Sequence, residues 1–132
     1  VYNVKLPTDR IVEGKNNYDS GLACAEQLLN TLPRPTAIVA NNDEMAAAVL
    51  RVANNLNIRV PDELSVAGFD DNILASRIIP SLTTIRRPVF NMACLAVQKL
   101  INKSRNNQEK LALQKTVTPN LVTRESTGRV NG

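Results

Sequence analysis

Apolar residues along this chain recur in two alternating rhythms, one at helical spacing and one as short continuous runs. Leu22, Ala25, Leu28, Leu29 and Leu32 repeat every three or four positions until Pro33 and Pro35, which predicts a helix with Asp19 or Ser20 as its N-cap. Met45, Val49, Val52 and Leu56 form a second stripe and predict a helix over residues 44–56, opened by Asn41, Asn42 and Asp43, of which Asp43 looks the better cap. Between the two, residues 36–40 are an apolar run of the kind found in a strand covered on both faces. Residues 64–68 and 81–85 read as two more strands, and Pro88 begins a long helix through Val89, Ala93, Val97, Leu100 and Ile101. A brief strand at residues 10–13, a short helical piece at 73–76 and strand-like pieces at 110–113 and 116–122 complete the series. Pro119 cannot donate to a ladder, which marks the last piece as an edge strand.

Strand and helix alternating in this way predict an α/β fold, a parallel sheet with right-handed crossovers and helices on both faces. Ligands of such sheets bind beyond the carboxyl ends of the strands. Three polar loops, at residues 15–17, 41–43 and 69–72, each follow a predicted strand end, so they are expected to converge on one edge. The second helix carries more apolar surface than one buried face requires, because Ala46, Ala47, Leu50 and Ala53 widen its stripe. The excess points to a second contact such as a subunit interface, although alanines are also good helix formers in their own right.

Composition narrows the chemistry. At 132 residues, 43% hydrophobic and 21% charged, the chain is one ordinary globular domain at most. It contains no histidine and no paired cysteine spacing, which sets aside a zinc site, a histidine general base and a serine-histidine triad. With no glycine-rich phosphate loop either, little enzyme chemistry remains, and no cofactor is expected. Cys24 and Cys94 sit in helical apolar patterns and read as free thiols of a reducing compartment. No apolar run is long enough to span a membrane and no secretory signal opens the chain, which favours the cytoplasm; the start at Val1 points to an upstream segment or larger parent. The net charge of +4 is uneven, with six basic against ten acidic residues up to position 76 and ten against two beyond it. The basic residues are dispersed and nearly without interleaved aromatics, so a solvated surface is the better reading than a nucleic-acid face.

Four ordered motifs carry a resemblance to a known family. They are the run from Pro35 to Ala46 containing Ala40-Asn41-Asn42-Asp43, the run from Ile58 to Asp71 containing Gly68-Phe69-Asp70-Asp71, Pro80-Ser81-Leu82-Thr83-Thr84-Ile85, and Leu121-Val122-Thr123-Arg124-Glu125-Ser126-Thr127. Together they resemble the C-terminal portion of the lactose and galactose repressor family over nearly the whole chain. The resemblance implies a periplasmic-binding-protein-like C-terminal subdomain that senses a small effector in a bacterial transcriptional repressor, with binding but no turnover. It implies that residues 1–87 and 113–132 form that subdomain, while 88–112 belong to the other, largely absent subdomain. The chain crosses between the two near residues 86–88 and 112–115, and the DNA-reading part is missing. The alternative is a periplasmic solute-binding protein for a sugar.

The same resemblance assigns roles residue by residue. Asp70 is the first ligand candidate, because a carboxylate accepts strong, directional hydrogen bonds from sugar hydroxyls; its plainer role is a turn or cap. Asn42 matches a second contact position, where an amide both donates and accepts, and it too has a capping alternative. Asn16 stands where many members place an aromatic ring, so stacking is lost there and a more polar or differently oriented effector follows. Arg87, at the crossover, matches a polar contact position, and its guanidinium suits a phosphorylated or acidic sugar. Ala47, Leu50, Arg51, Ile78 and Ile79 are the candidates for a homodimer interface. With half the cleft absent, the chain alone is expected to sense poorly, and the apolar face of its long helix is expected to drive self-association or rearrange.

Overall fold

The computed structural model describes residues 5–104 and 117–129. Four strands, β1 (Ala37–Val39), β2 (Ser65–Asp70), β3 (Thr83–Arg86) and β4 (Asn120–Val122), form one sheet in the order β1-β2-β3-β4. β1 to β3 are parallel, with Ile38 opposite Val66 and Gly68 opposite Thr84, whereas β4 runs antiparallel to β3. The α/β class holds, but the sheet is mixed. Its antiparallel member begins directly after Pro119, at the edge, where a missing N–H costs no ladder bond.

Helix α1 (Tyr18–Leu29) and helix α2 (Asp43–Asn55) stack on each other, and α2 lies on the sheet. The core sits between them and one sheet face, around Leu29, Leu64, Val66 and Leu82, all at 0% exposure. The opposite sheet face is bare among the described residues, with Val39 81% and Leu121 65% exposed. The expectation of helices on both faces is therefore corrected. Ala25 and Leu29, the apolar stripe of α1, are spent on α2 rather than on the far side of the sheet. Side chains in β1 and β2 alternate between buried and accessible accordingly, despite their continuous apolar composition.

Local chemistry sets the helix ends. Asn17 caps α1 by accepting from the Ser20 N–H at 2.9 Å, so neither Asp19 nor Ser20 is the cap. α1 stops at Leu29, four residues before Pro33, and Leu32 is left 82% exposed rather than on the buried stripe. α2 ends in a left-handed residue, Asn57, at φ 56°. The Asn57 N–H returns to Asn54 O and the Ile58 N–H to Ala53 O, which satisfies the last carbonyls and tucks Ile58 under the helix. The predicted strand at residues 10–13 is absent: Thr8–Arg10 form a 3-10 turn and residues 11–15 are irregular. None of the described strands pairs with this segment; it is held by side chains, with Arg10 donating to Pro33 O at 2.7 Å. The short helical piece appears as a 3-10 helix, Ile73–Ser76.

Beyond β3, helix α3 (Val89–Ser104) buries none of its residues, and Phe90 and Leu100 are 79% and 67% exposed. The predicted piece at residues 110–113 and the return crossover near 112–115 lie outside the described residues. The chain closes by lacing the sheet. Buried Ser126 donates its hydroxyl to Val66 O at 2.6 Å and accepts from the Thr83 N–H at 2.8 Å. The Glu125 carboxylate accepts both the backbone N–H and the hydroxyl of Ser81, which hold it below the usual carboxylate range.

Core and surface leucines separate sharply on this architecture. Leu82→Ala is expected to lower unfolding free energy by about 3 kcal/mol, read by urea titration, while Leu32→Ala is expected to change it by less than about 0.5 kcal/mol.

Candidate ligand-binding rim

The carboxyl ends of β1, β2 and β3 open on one rim, and each strand is followed there by polar residues. The loop before α1 reaches the same place. Asn16, with left-handed backbone at φ 56°, turns its carbonyl toward α2 and accepts from the Asn42 side-chain amide at 2.9 Å. Its own side-chain oxygen accepts from the Asn41 amide at 2.6 Å. Asn42 uses its other end as the cap of α2, accepting from the Met45 N–H at 2.8 Å. Asn42, not Asp43, is thus the cap. An asparagine here serves both helix and loop, because its amide presents a donor and an acceptor in opposite directions.

Asp43 is the first helical residue and is fully buried. One carboxylate oxygen accepts from the Thr84 hydroxyl of β3 at 2.5 Å, and the other accepts from the Asn72 N–H at 2.8 Å. The strand beneath has no side chain to spare: a Cβ at Gly68 would lie 2.5 Å from that carboxylate.

Asp70 is the last residue of β2, at φ 115°, and Asp71 follows at φ 56°. Both lie where side chains other than glycine are strained, so surrounding bonds must hold the turn. Asp70 pairs with Arg87 at 2.6 Å, and the Arg87 guanidinium lies 5.8 Å from the centre of the Phe69 ring. Asp71 has a side chain only 6% exposed and is gripped by Arg124 at 2.6 Å and by Arg86. Burial pushes the Asp71 carboxyl up, but the Arg124 and then the Arg86 guanidinium outweigh it and hold it below its ordinary value. Arg124 also donates to Leu82 O at 2.7 Å, so Asp71 ties together the strand on which the chain leaves and the segment on which it returns.

The structure therefore brings Asn16 and Asn42 into direct contact, joins Asp70 to Arg87, and connects the two pairs through Asp43 and Asn72. Sequence reasoning passed over Asp43, Asp71 and Arg124. The signal available for Asp71 was charge arithmetic, two acids ending one strand and two bases ending its neighbour, with Asp70 and Arg86 in register. An open hollow of about 460 Å³ lies beside the rim on the bare sheet face, but its walls are mostly apolar, among them Val39, Phe69 and Leu121, and do not suit a polyhydroxylated molecule. No group of three His, Cys, Asp or Glu among the described residues is placed to hold a metal.

The interface candidates also converge. Ala47, Leu50, Arg51, Ile78 and Ile79 line one depression of about 540 Å³ on the flank of α2. Ile79 is 94% exposed there, while Ala47 and Leu50 are largely covered by the chain itself. Much of the wide apolar arc of α2 is thus used internally, against α1, the sheet and the 3-10 helix.

Over residues 2–127 the chain matches the family described as the periplasmic binding protein-like domain. It is 37% identical over 98 residues to catabolite control protein A of Priestia megaterium, covering 74% of this chain and 29% of that protein. The HTH-type transcriptional regulator DegA of Bacillus subtilis is 34% identical over 128 residues, covering 97% of this chain and 37% of the relative. Among solved structures, a LacI family regulator from Bifidobacterium animalis subsp. lactis superposes with a TM-score of 0.85 at 28% identity, covering 90% of this chain and 43% of that one. The lac repressor dimer bound to operator and an anti-inducer gives 0.78 at 31% identity, covering 86% and 39%. The chain belongs to the periplasmic binding protein-like family. It spans about a third of the length of the curated relatives it matches.

The Asp71 grip has a pH signature. Because its folded carboxyl is held low, its stabilisation is complete above the unfolded value of roughly 4 and is lost as pH falls through the folded value. Urea titration is expected to show Asp71→Asn less stable than the parent by about 2 kcal/mol at neutral pH, with the gap closing in acid.

Proposed function

We propose that this chain is the ligand-sensing and dimerisation part of a bacterial transcriptional repressor, binding a small sugar or sugar-like metabolite without chemical turnover. The observation that carries the reading is the rim itself: amides from two loops and the Asp70 carboxylate, held at the carboxyl ends of three parallel strands. Amides and a carboxylate with spare lone pairs are the groups that exchange hydrogen bonds with sugar hydroxyls. A solved relative, at TM-score 0.79 and 30% identity, is a complex of the regulator CelR with cellobiose. The relatives named above are regulators rather than transporters or enzymes, which favours this reading over a periplasmic solute-binding protein. A regulator of this kind works in the cytoplasm, beside DNA.

Charge pairing bears on the effector. Among the described rim residues, Arg87 is neutralised by Asp70, and Arg86 and Arg124 by Asp71. A phosphorylated or acidic sugar would have to break the Asp70–Arg87 pair to use that guanidinium, whereas a neutral sugar needs only to bridge it. The rim therefore supports a neutral polyhydroxylated effector. DNA contact falls to polypeptide outside this chain, as does most of the second subdomain that walls the cleft, to which residues 88–112 of this chain are assigned. Two copies meet through the depression lined by Leu50, Arg51 and Ile79.

Calorimetric titration of the full-length gene product with cellobiose and with a sugar phosphate tests the ligand. Saturable binding of a neutral sugar is expected, weakened about tenfold to a hundredfold by Asp70→Ala. Tighter binding of the phosphate, or no effect of that substitution, would refute the assignment. For the interface, Ile79→Asp, at the exposed candidate of the patch, is expected to convert dimer to monomer in light scattering, and a dimer that survives it would remove this surface from the account.

A further inference from the structure

We infer that Asp43 is a positioning residue for the rim: its buried carboxylate sets the backbone turn that presents Asp70. The inference rests on the reading of Asp70 as a ligand contact, and its structural content stands apart from any ligand.

Burying a carboxylate is costly, and it is tolerated only where its oxygens are satisfied. Asp43 is at 0% exposure, and its two oxygens are divided between two elements rather than shared with one. Oδ1 accepts from the Thr84 hydroxyl, itself fully buried in β3, and Oδ2 accepts from the N–H of Asn72, beyond the turn. The carboxylate is thus a rigid spacer of fixed length between a central strand and the residue that follows Asp70-Asp71.

That turn needs such a spacer. Asp70 and Asp71 have φ of 115° and 56°, a strained pair for residues bearing side chains, and strain persists only where neighbours over-determine it. On one side Asp71 is gripped by Arg124 and Arg86. On the other the hold described here is the bond from Asn72 to Asp43, continued by Asn72 capping the following 3-10 helix through the Leu74 N–H. The Gly68 position fits the same picture, since any side chain there would push into Oδ1. Asp43 also follows Asn42 directly, and Asn42 holds the Asn16 loop. One residue therefore fixes the spacing between the amide half of the rim and its acidic half.

The test is amide spectroscopy on the full chain, isotopically labelled, with Asp43→Asn and Thr84→Val. The first substitution retains the side-chain volume and an acceptor for the Thr84 hydroxyl but sets an N–H₂ group against the Asn72 N–H. In Asp43→Asn the Asn72 amide proton is expected to move upfield and exchange about tenfold faster, and the Asp71 amide coupling to leave its left-handed value. Amides of Leu64 and Val66 keep their protection. Thr84→Val, which frees one end of the spacer and is the milder change, is expected to shift the Asn72 amide in the same direction by less. Asn72 and Asp71 signals that stay at parent values in both variants, while overall stability alone falls, would show Asp43 to be a core residue with no hold on the turn. Failure to bind sugar would overturn the effector reading without moving any of these signals.

Discussion

A carboxylate sealed from water has to find all its hydrogen bonds inside the protein, and at Asp43 that requirement organises the whole rim. Its two oxygens reach β3 and the turn after β2, while its own backbone starts α2 at the end of β1. A single group thus joins the start of α2, the turn after β2 and the body of β3. The helix N-terminus contributes as well, because its free N–H groups and positive dipole end favour a carboxylate in the first turn. Gly68 and Thr84, opposite each other in the parallel ladder, supply the space and the hydroxyl the group needs.

Around that hub the remaining charges are spent in pairs. Asp71 takes Arg86 and Arg124, and Asp70 takes Arg87. The pairs differ in exposure, and the difference sorts their roles. Asp71 is sealed under two guanidinium groups and locks β3 to the returning chain, whereas Asp70 and Arg87 are accessible enough to exchange partners with a bound molecule. A ligand that bridges Asp70 and Arg87 acts on residues one step along the chain from the Asp71 lock on both β2 and β3. On the proposed reading, recognition at the rim is adjacent to the crossover on which a second subdomain would pivot. Differential contact of that kind is what a coupling between ligand and DNA affinity requires, and such couplings run to about 1 to 3 kcal/mol.

Strand ends and loops were legible because polar asparagines and aspartates punctuate apolar runs, and the convergence of the loops at 41–43 and 69–72 followed from the rule for parallel sheets; the 15–17 loop joins them through asparagine hydrogen bonds although no described strand precedes it. Ala47, Leu50, Arg51, Ile78 and Ile79, named through the family resemblance, lie on one depression, and helical spacing accounts for the grouping of the first three. Other features depended on partners that local pattern does not reveal. Asn42 displaced Asp43 as the cap because Asp43 has two distant partners, one of them 41 positions away. Residues 10–13 have strand composition but find no partner among the described strands, and a strand without a ladder is not one. Continuous apolar composition in β1 suggested cover on both sides, yet α1 had already committed its stripe to α2, leaving Val39 bare. Composition records what can be buried; only the packing decides what is.

The loop before α1 and the loop before α2 must touch for the rim to exist, and nuclear Overhauser spectroscopy of the labelled chain reads that contact directly. The account predicts cross-peaks from the Asn42 side-chain amide protons to Asn16 and slow exchange of those protons, together with a contact between the Asn41 amide and the Asn16 side chain. Asparagine amides exchanging at solvent rates, with no cross-peak between the two loops, would mean that the polar residues lie apart and that this sheet edge forms no common site.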